Sequence, residues 1–208
     1  MKQLILKMSI SADGFVCGPN GEIDWIFKTS DAGATAWTVE TIWQASAHLM
    51  GSRTFRDMAA YWPTSTEPFA TPMNEIPKVV FSRSGSIGQT TTTRALEDAT
   101  RLRTAPEASA PSNAASWTSP MVASGDLAAE IARLKQQDGR PLLAHGGAGF
   151  AQSLVKQGLV DEYRLLVHPV ALGRGLPLFS GLPKALYLKL VSATTFASGA
   201  VAHVYQPA

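Results

Sequence analysis

One cysteine in 208 residues, Cys17, rules out an intramolecular disulfide and any zinc site built from several thiolates. No apolar run reaches the about 18 residues that a bilayer-spanning helix needs, and Lys7 interrupts the apolar start where a signal peptide would continue it. Charge is scarce too. Charged residues make up 16% of the chain and the net charge is +2, with Lys and Arg scattered, so no basic patch marks a nucleic-acid surface. No glycine loop ends in Gly-Lys-Ser/Thr, which excludes a P-loop. Read as G-x-G-x-x-G from Gly147, the third glycine position is Gln152, a poor Rossmann fingerprint placed late in the chain. These absences argue against membrane, metal and nucleic acid as partners and lead to the expectation of a cytoplasmic protein.

What is present is ordinary globular composition, 45% hydrophobic, in a length that suits one α/β domain over residues 1–208. The run from Leu4 to Ile10 reads as a strand entering a turn at Asp13-Gly14. Val39, Ile42, Trp43 and Ala47 share one helical face, predicting a helix from about Ala36 to Ala47. His48-Leu49-Met50 follows as a buried strand, and a short helix from Thr54 to Tyr61 stops at Trp62-Pro63. Val79 to Phe81 is a third strand. The Ser-, Thr- and Ala-rich stretch 85–116 cannot bury much apolar surface and reads as a flexible insertion, from which Ile87, Leu96 and Leu102 could dock back. Beyond it, Met121 to Ala123 and Pro141 to Ala144 read as strands, each followed by a helix. Ser124 is the expected N-cap of the first, which carries Leu127, Ile131 and Leu134; the second runs to Gln157. Strand-like stretches at 163–170, 186–191 and 201–205 close the chain, giving a mixed sheet with helices on its faces.

Three strand ends concentrate small residues or arginine where backbone N–H groups gather: Gly51-Ser52-Arg53-Thr54, Ser82-Arg83-Ser84 and Gly146-Gly147-Ala148-Gly149. Helix N-termini attract anions, glycine lets a phosphate approach the backbone, and arginine pairs with phosphate in two-pronged fashion. Taken singly, each has a plainer reading: a tight turn for Gly146-Gly147, solvated charge for Arg53 and Arg83. Together at one sheet edge they suit a dinucleotide.

Five segments then occur in order: Met8-Ser9-Ile10-Ser11-Ala12-Asp13-Gly14-Phe15-Val16, Met50-Gly51-Ser52-Arg53-Thr54-Phe55, Val80-Phe81-Ser82-Arg83, His145-Gly146-Gly147-Ala148-Gly149-Phe150, and the stretch from His168 to Phe179. In this the chain resembles the dihydrofolate-reductase-like superfamily, specifically stand-alone proteins similar to the reductase domain of the riboflavin-biosynthesis deaminase–reductases. The resemblance implies a central, mostly parallel sheet with helices on both faces and an antiparallel C-terminal strand, NADPH as cofactor, and a homodimer. It implies that Gly51, Ser52, Arg53 and Thr54 meet phosphates, that Ser82 and Arg83 lie near the 2′-phosphate, and that Gly146, Gly147, Ala148 and Gly149 cradle the pyrophosphate. Phe150 then sits beside the nicotinamide ribose and Val16 touches the nicotinamide. The H-x-E and P-C-x-x-C elements of a zinc deaminase are absent, and residues 52–57 differ from the riboflavin enzymes' phosphoribosyl segment.

For a substrate-side group, Asp24 and Trp25 pair a carboxylate with an aromatic wall where the superfamily lines its pocket. Asp24 is read either as an acid serving hydride transfer or as a solvated loop residue. Asp13 is expected to fix its turn. His145 and His168 are either proton relays or packed strand-end histidines. The leading expectation is an NADPH-dependent reductase acting on a C=N or C=O of a pteridine-, pyrimidine- or flavin-like heterocycle. A non-catalytic NADPH or heterocycle binding module is the alternative, and a Rossmann-type dehydrogenase a weaker third.

Overall fold

The computed structural model describes residues 1–87 and 115–208. Its centre is an eight-stranded sheet in the order β5-β4-β3-β6-β1-β7-β10-β9. The strands are β1 (Leu4–Ser11), β3 (Ala47–Gly51), β4 (Lys78–Phe81), β5 (Met121–Ala123), β6 (Leu142–His145) and β7 (Glu162–His168), followed by β9 (Leu188–Thr195) and β10 (Val201–Pro207). The first six run parallel; β10 lies antiparallel between β7 and β9. A small antiparallel pair, β2 (Phe15–Cys17) with β8 (Leu176–Pro177), stands apart from the sheet.

Strand alternation sends side chains to two cores. Leu4, Leu6, Met8 and Ile10 of β1 join one, with Leu49, Leu142 and Ala144; helices α6 (Leu127–Lys135) and α7 (Ala148–Lys156) add Ile131, Leu134, Leu154 and Val155. Ile5, Met50, Val80 and Leu143 point to the other face. There they meet Ile42 of α2 (Ala32–Trp43), Phe55 and Ala59 of α3 (Ser52–Tyr61), Met73 of α4 (Ala70–Glu75) and Trp117 of α5 (Ala115–Thr118). Helices on both faces of a mostly parallel sheet with an antiparallel C-terminal strand is the expected architecture.

Several local expectations shift. Helix α2 begins four residues before its predicted start because the Asp31 carboxylate accepts from the Ala34 N–H at 2.8 Å, and it ends before Ala47, which belongs to β3. The cap of α6 is Asp126, whose carboxylate accepts from Ala129 N–H at 3.0 Å, not Ser124. Helices α1 (Asp24–Lys28) and α4 were not foreseen; both are a turn or so long, too short to show a period.

Most of the predicted insertion 85–116 lies outside the described residues; the residues at its two ends are described. Ile87 packs on the second core, and Ser116 accepts from the Lys78 ammonium at 2.7 Å while donating to Asn74 C=O at 2.6 Å. Trp117, just past the border, is fully buried, with its indole N–H on Asn74 Oδ1 at 2.8 Å. Leu96 and Leu102 lie outside the described residues. Among the described residues no helix is long and apolar enough to cross a membrane, and no group of three metal-ligating side chains occurs.

Candidate functional site

Parallel strands deliver their C-terminal ends to one edge, and a cleft of ≈ 1470 Å³ runs along it. That exceeds the usual span of small-molecule pockets, roughly 300–1,000 Å³, and leaves room for an extended ligand with a second molecule beside it. The sheet order gives the cleft its axis. Ser82, Arg83 and the 125–127 turn lie at the β4–β5 end, Gly51 to Thr54 come next, then His145 to Phe150, and last Lys7, Val16 and α1 at the β1 end.

All twelve residues expected to bind a dinucleotide line this cleft. Two helices open onto it without a side-chain cap: α3 behind Gly51 and α7 behind Gly147. Their first N–H groups are unsatisfied donors at positive helix ends, as an anion requires. Gly146 and Gly147 take φ of 80° and 76°, a region that costs any side-chain-bearing residue. A Cβ on Gly147 would stand 2.5 Å from Thr54 Oγ1, and one on Gly146 would stand 3.0 Å from Thr54 Cγ2. The glycine loop therefore lies directly on α3, so both helix ends serve one groove. Phe150 stacks on Phe81 with ring centroids 4.9 Å apart, bridging α7 to β4. The Ser82 hydroxyl is already engaged, donating to Ser86 C=O at 2.8 Å, whereas Arg53 and Arg83 are exposed and make no ion pair among the described residues.

Side chains dominate the opposite wall. Ile23, the N-cap of α1, and Ile26 and Phe27 within it line the cleft, with Ile42 of α2, Met58 and Tyr61 of α3, and Trp62 and Phe69 from the segment after it. Trp62 lies edge-on to both Tyr61 and Phe69, at 4.9 and 6.1 Å. Three polar groups reach the floor from the same sheet face: Lys7, Ser9 and His145. Lys7 has no hydrogen-bond partner among the described residues, and burial pulls its ammonium down to about 8. His145 is pushed down to about 3 by burial and by the Lys7 and Lys78 charges, so it is neutral at physiological pH.

Asp24 and Trp25 do not line the cleft. The Asp24 carboxylate is exposed and pairs with Lys28 Nζ at 2.5 Å, which holds it below the ordinary carboxylate range. Trp25 is the buried residue of α1, its ring edge-on to His168 at 5.3 Å and its N–H on Glu22 C=O at 3.2 Å. The physical reason is the short helix α1: positions 23, 26 and 27 share one face, which turns 24 away. His168 is packed, its Nδ1 2.9 Å from Thr29 Oγ1, and does not line the cleft; His145 does. Asp13 ties its turn to a distant segment: its carboxylate accepts from the Ser11 hydroxyl at 2.5 Å and from Leu172 and Gly173 N–H at 3.1 and 2.7 Å. Sequence reasoning missed Lys7 as a site residue, although an inward-facing cation inside an apolar strand was its visible signal. The wall of α1, Tyr61, Trp62 and Phe69 carried no such signal.

With this geometry in hand, comparison with known proteins is specific. The family described as RibD C-terminal domain matches residues 2–202. The uncharacterized protein YyaP of Bacillus subtilis (strain 168) is 29% identical over 204 residues, covering 98% of this chain and 94% of YyaP. The deaminase/5-amino-6-(5-phosphoribosylamino)uracil reductase of Thermotoga maritima superposes with TM-score 0.67 at 18% identity, covering 100% of this chain and 57% of that one. Dihydrofolate reductase from Enterococcus faecalis, solved with NADP(H), superposes with TM-score 0.56 at 12% identity over 99% of this chain and 96% of its own. The chain belongs to the RibD C-terminal domain family and has a dihydrofolate-reductase-like fold.

Proposed function

We propose that this member of the RibD C-terminal domain family is an NADPH-dependent reductase of a small pteridine-, pyrimidine- or flavin-like heterocycle. The observation that carries the reading is the convergence of two uncapped helix N-termini and a positive-φ glycine pair on one groove. Its fit to a dinucleotide is tested by the space at Gly147, where any Cβ would occupy the approach beside Thr54. Gly146 to Gly149 with the α7 N-terminus would hold the pyrophosphate, the α3 N-terminus and Thr54 an adjoining phosphate, and Arg53 and Arg83 the 2′-phosphate. Phe150 and Val16 would flank the nicotinamide half. NADPH, when bound, supplies the hydride to a C=N or C=O.

The chain's own residues do the rest. Ile23, Phe27 and Trp62 would form an apolar wall for a flat ring, whose binding would cover the surface now exposed at Ile23 and Phe27 and keep water from the reacting face. Lys7 holds a proton on Nζ at the β1 end, and an ammonium brought close to neutral pH is poised to hydrogen-bond or protonate a ring nitrogen or oxygen. The exposed apolar residues Tyr187, Leu190 and Val191 along the β9 edge support the homodimer as part of the same proposal. Light scattering at twice the 22.1 kDa chain mass is its expected result.

Titration with NADPH and NADH tests the reading. NADPH should bind more tightly, and Arg83→Ala should erase much of the difference, about 1.5–3 kcal/mol for a charge-assisted phosphate contact. Equal affinity for the two cofactors in the unaltered protein overturns it.

A further inference from the structure

Helix α1 and its N-cap give the cleft three side chains, Ile23, Ile26 and Phe27, yet the helix has little to rest on. It is five residues long, and Trp25 is the buried one among them; Ile23 and Phe27 are exposed. A helix that short does not hold itself together by its own hydrogen bonds. Its seat is the burial of Trp25 and a hydrogen bond at its C-cap, Thr29, and both contacts involve His168.

His168 ends β7, fully buried, opposite Ser11 of β1 in the parallel register. Its ring stands edge-on to Trp25, the centroids 5.3 Å apart and the planes at 84°, and its Nδ1 lies 2.9 Å from Thr29 Oγ1. The direction of that hydrogen bond follows from counting protons. The Thr29 hydroxyl has one, and it donates that proton to Trp25 C=O at 2.7 Å, an acceptor only. Toward His168, Thr29 Oγ1 has lone pairs left and nothing to donate. Nδ1 therefore carries the hydrogen and donates it. Burial, and after it the Lys7 charge, hold the imidazole down to about 4, so the ring is neutral at physiological pH and Nε2 is bare. Nε2 is itself buried with no hydrogen-bond partner.

A leucine at this position would fill space without leaving a buried nitrogen unpaired. What the imidazole adds is the donor at Thr29. That bond ties β7 to the last turn of α1, where the Thr29 hydroxyl satisfies a carbonyl that the helix end leaves open. At its other edge Trp25 is held by its indole N–H on Glu22 C=O at 3.2 Å, so the connection runs from β7 through the whole of α1. We propose that His168 is a positioning residue, which through Thr29 and Trp25 seats α1 and so fixes where Ile23, Ile26 and Phe27 stand at the substrate end of the cleft. This deepens the reductase reading and rests on it for what fills that end. It makes the substrate-side wall depend on a hydrogen bond that lies outside the cleft, while the proposed phosphate contacts at α3 and α7 do not use it.

The test is nuclear magnetic resonance on the full-length ¹⁵N-labelled protein, with NADPH as the probe ligand, for the unaltered chain, Thr29→Val, Thr29→Ser and His168→Leu. A long-range ¹H–¹⁵N spectrum of the unaltered chain between pH 6 and 8 should show His168 protonated on Nδ1 alone. Protonation on Nε2 overturns the proposal, because Thr29 would then have to donate to His168 and release Trp25 C=O. Backbone order parameters at Ile26 and Phe27 should be near 0.85 in the unaltered chain and fall below about 0.6 in Thr29→Val and His168→Leu. Thr29→Ser keeps the hydroxyl and should restore them. Order at α1 that survives both Thr29→Val and His168→Leu overturns the proposal, and so does failure of Thr29→Ser to recover it. Affinity for NADPH should stay within about twofold in every variant, as for sites that share no partner. A parallel loss of that affinity would make His168 a general prop of the fold and also overturns the assignment. If the unaltered protein does not bind NADPH, the reductase reading falls, while the tautomer and the order of α1 still judge His168.

Discussion

Along one wall of the cleft the working parts are backbone: the N–H groups opening α3 and α7, and the glycine pair that lets a ligand near them. Along the other they are side chains gathered from α1, α2, α3 and the segment after it, with Lys7 and His145 on the floor. The first wall is made by short contiguous motifs, each at the end of a strand. The second draws on residues up to about 140 positions apart that no local pattern links. Backbone sites tolerate changes of side chain but no Cβ in the wrong place. Side-chain sites tolerate backbone variation but depend on what each residue is.

Acid should act most strongly, and on the side-chain wall. His48 and His145 are held neutral in the folded protein, His48 well below its ordinary value and His145 down to about 3, both chiefly through burial. The unfolded chain binds protons on them near pH 6.5, so it takes up more protons than the native state between about 3 and 6.5. The stability due to this pair is therefore complete above about pH 6.5 and is lost as pH falls toward 3. For His145 alone the loss between pH 6.5 and 4.5 is about 2 kcal/mol. Urea midpoints measured from pH 7.5 down to 4.5 should fall accordingly, and a flat profile would mean that both rings find partners.

Truncating Trp117 comes next. The indole is fully buried, its N–H is on Asn74, and the Lys78 ammonium lies 4.3 Å from a ring centroid. Trp117→Ala removes a buried contact between the chain after residue 114 and the second core, and should cost about 3–5 kcal/mol. Replacing residues 88–114 by a short linker should cost little by comparison, because closure entropy changes slowly with loop length. Thermal unfolding of the two variants measures the difference.

The backbone wall was the legible one. Gly51 to Thr54, Ser82-Arg83 and Gly146 to Phe150 are contiguous, and strand-then-glycine is a pattern that sequence displays. The sheet's mostly parallel character was legible only through resemblance and its strand order not at all, since parallel pairings such as Lys7 with His145 join residues 138 positions apart. Lys7 was visible as an odd residue in an apolar run, yet its neighbours were not. Phe27, Trp62 and Phe69 look like ordinary core or surface residues until the helices are packed.

Gly147→Ala tests the backbone wall with a smaller expected effect on stability. At φ 76° an alanine pays about 1–2 kcal/mol for the left-handed region, and its Cβ would meet Thr54 Oγ1 at 2.5 Å. Adding Thr54→Ala should relieve the clash and leave the backbone strain, so the double variant recovers only part of the lost melting temperature. NADPH affinity should stay low in both, since the groove next to the helix end remains filled. Full recovery of affinity in the double variant would show that the glycine matters only for its contact with Thr54.

The smallest effect is expected at Asp24, and it sharpens the comparison because its neighbours should behave differently. Helix α1 and its N-cap Ile23 line the cleft through Ile23, Ile26 and Phe27, while Asp24 and Lys28, four residues apart, pair on the exposed face. An exposed pair of this kind is screened by solvent and contributes little to stability. Asp24→Asn should therefore leave the melting temperature and NADPH affinity unchanged, and it should leave turnover unchanged once a substrate is in hand. Phe27→Ala, three positions on, should raise KM with a modest change in kcat, as for an apolar wall that binds ground and transition states alike. Its side of the helix is 63% exposed at Phe27 in the absence of a ligand, surface that a flat ring would cover. A large loss of turnover in Asp24→Asn with NADPH binding intact would mean that α1 rotates when substrate enters, bringing the carboxylate round to the side-chain wall.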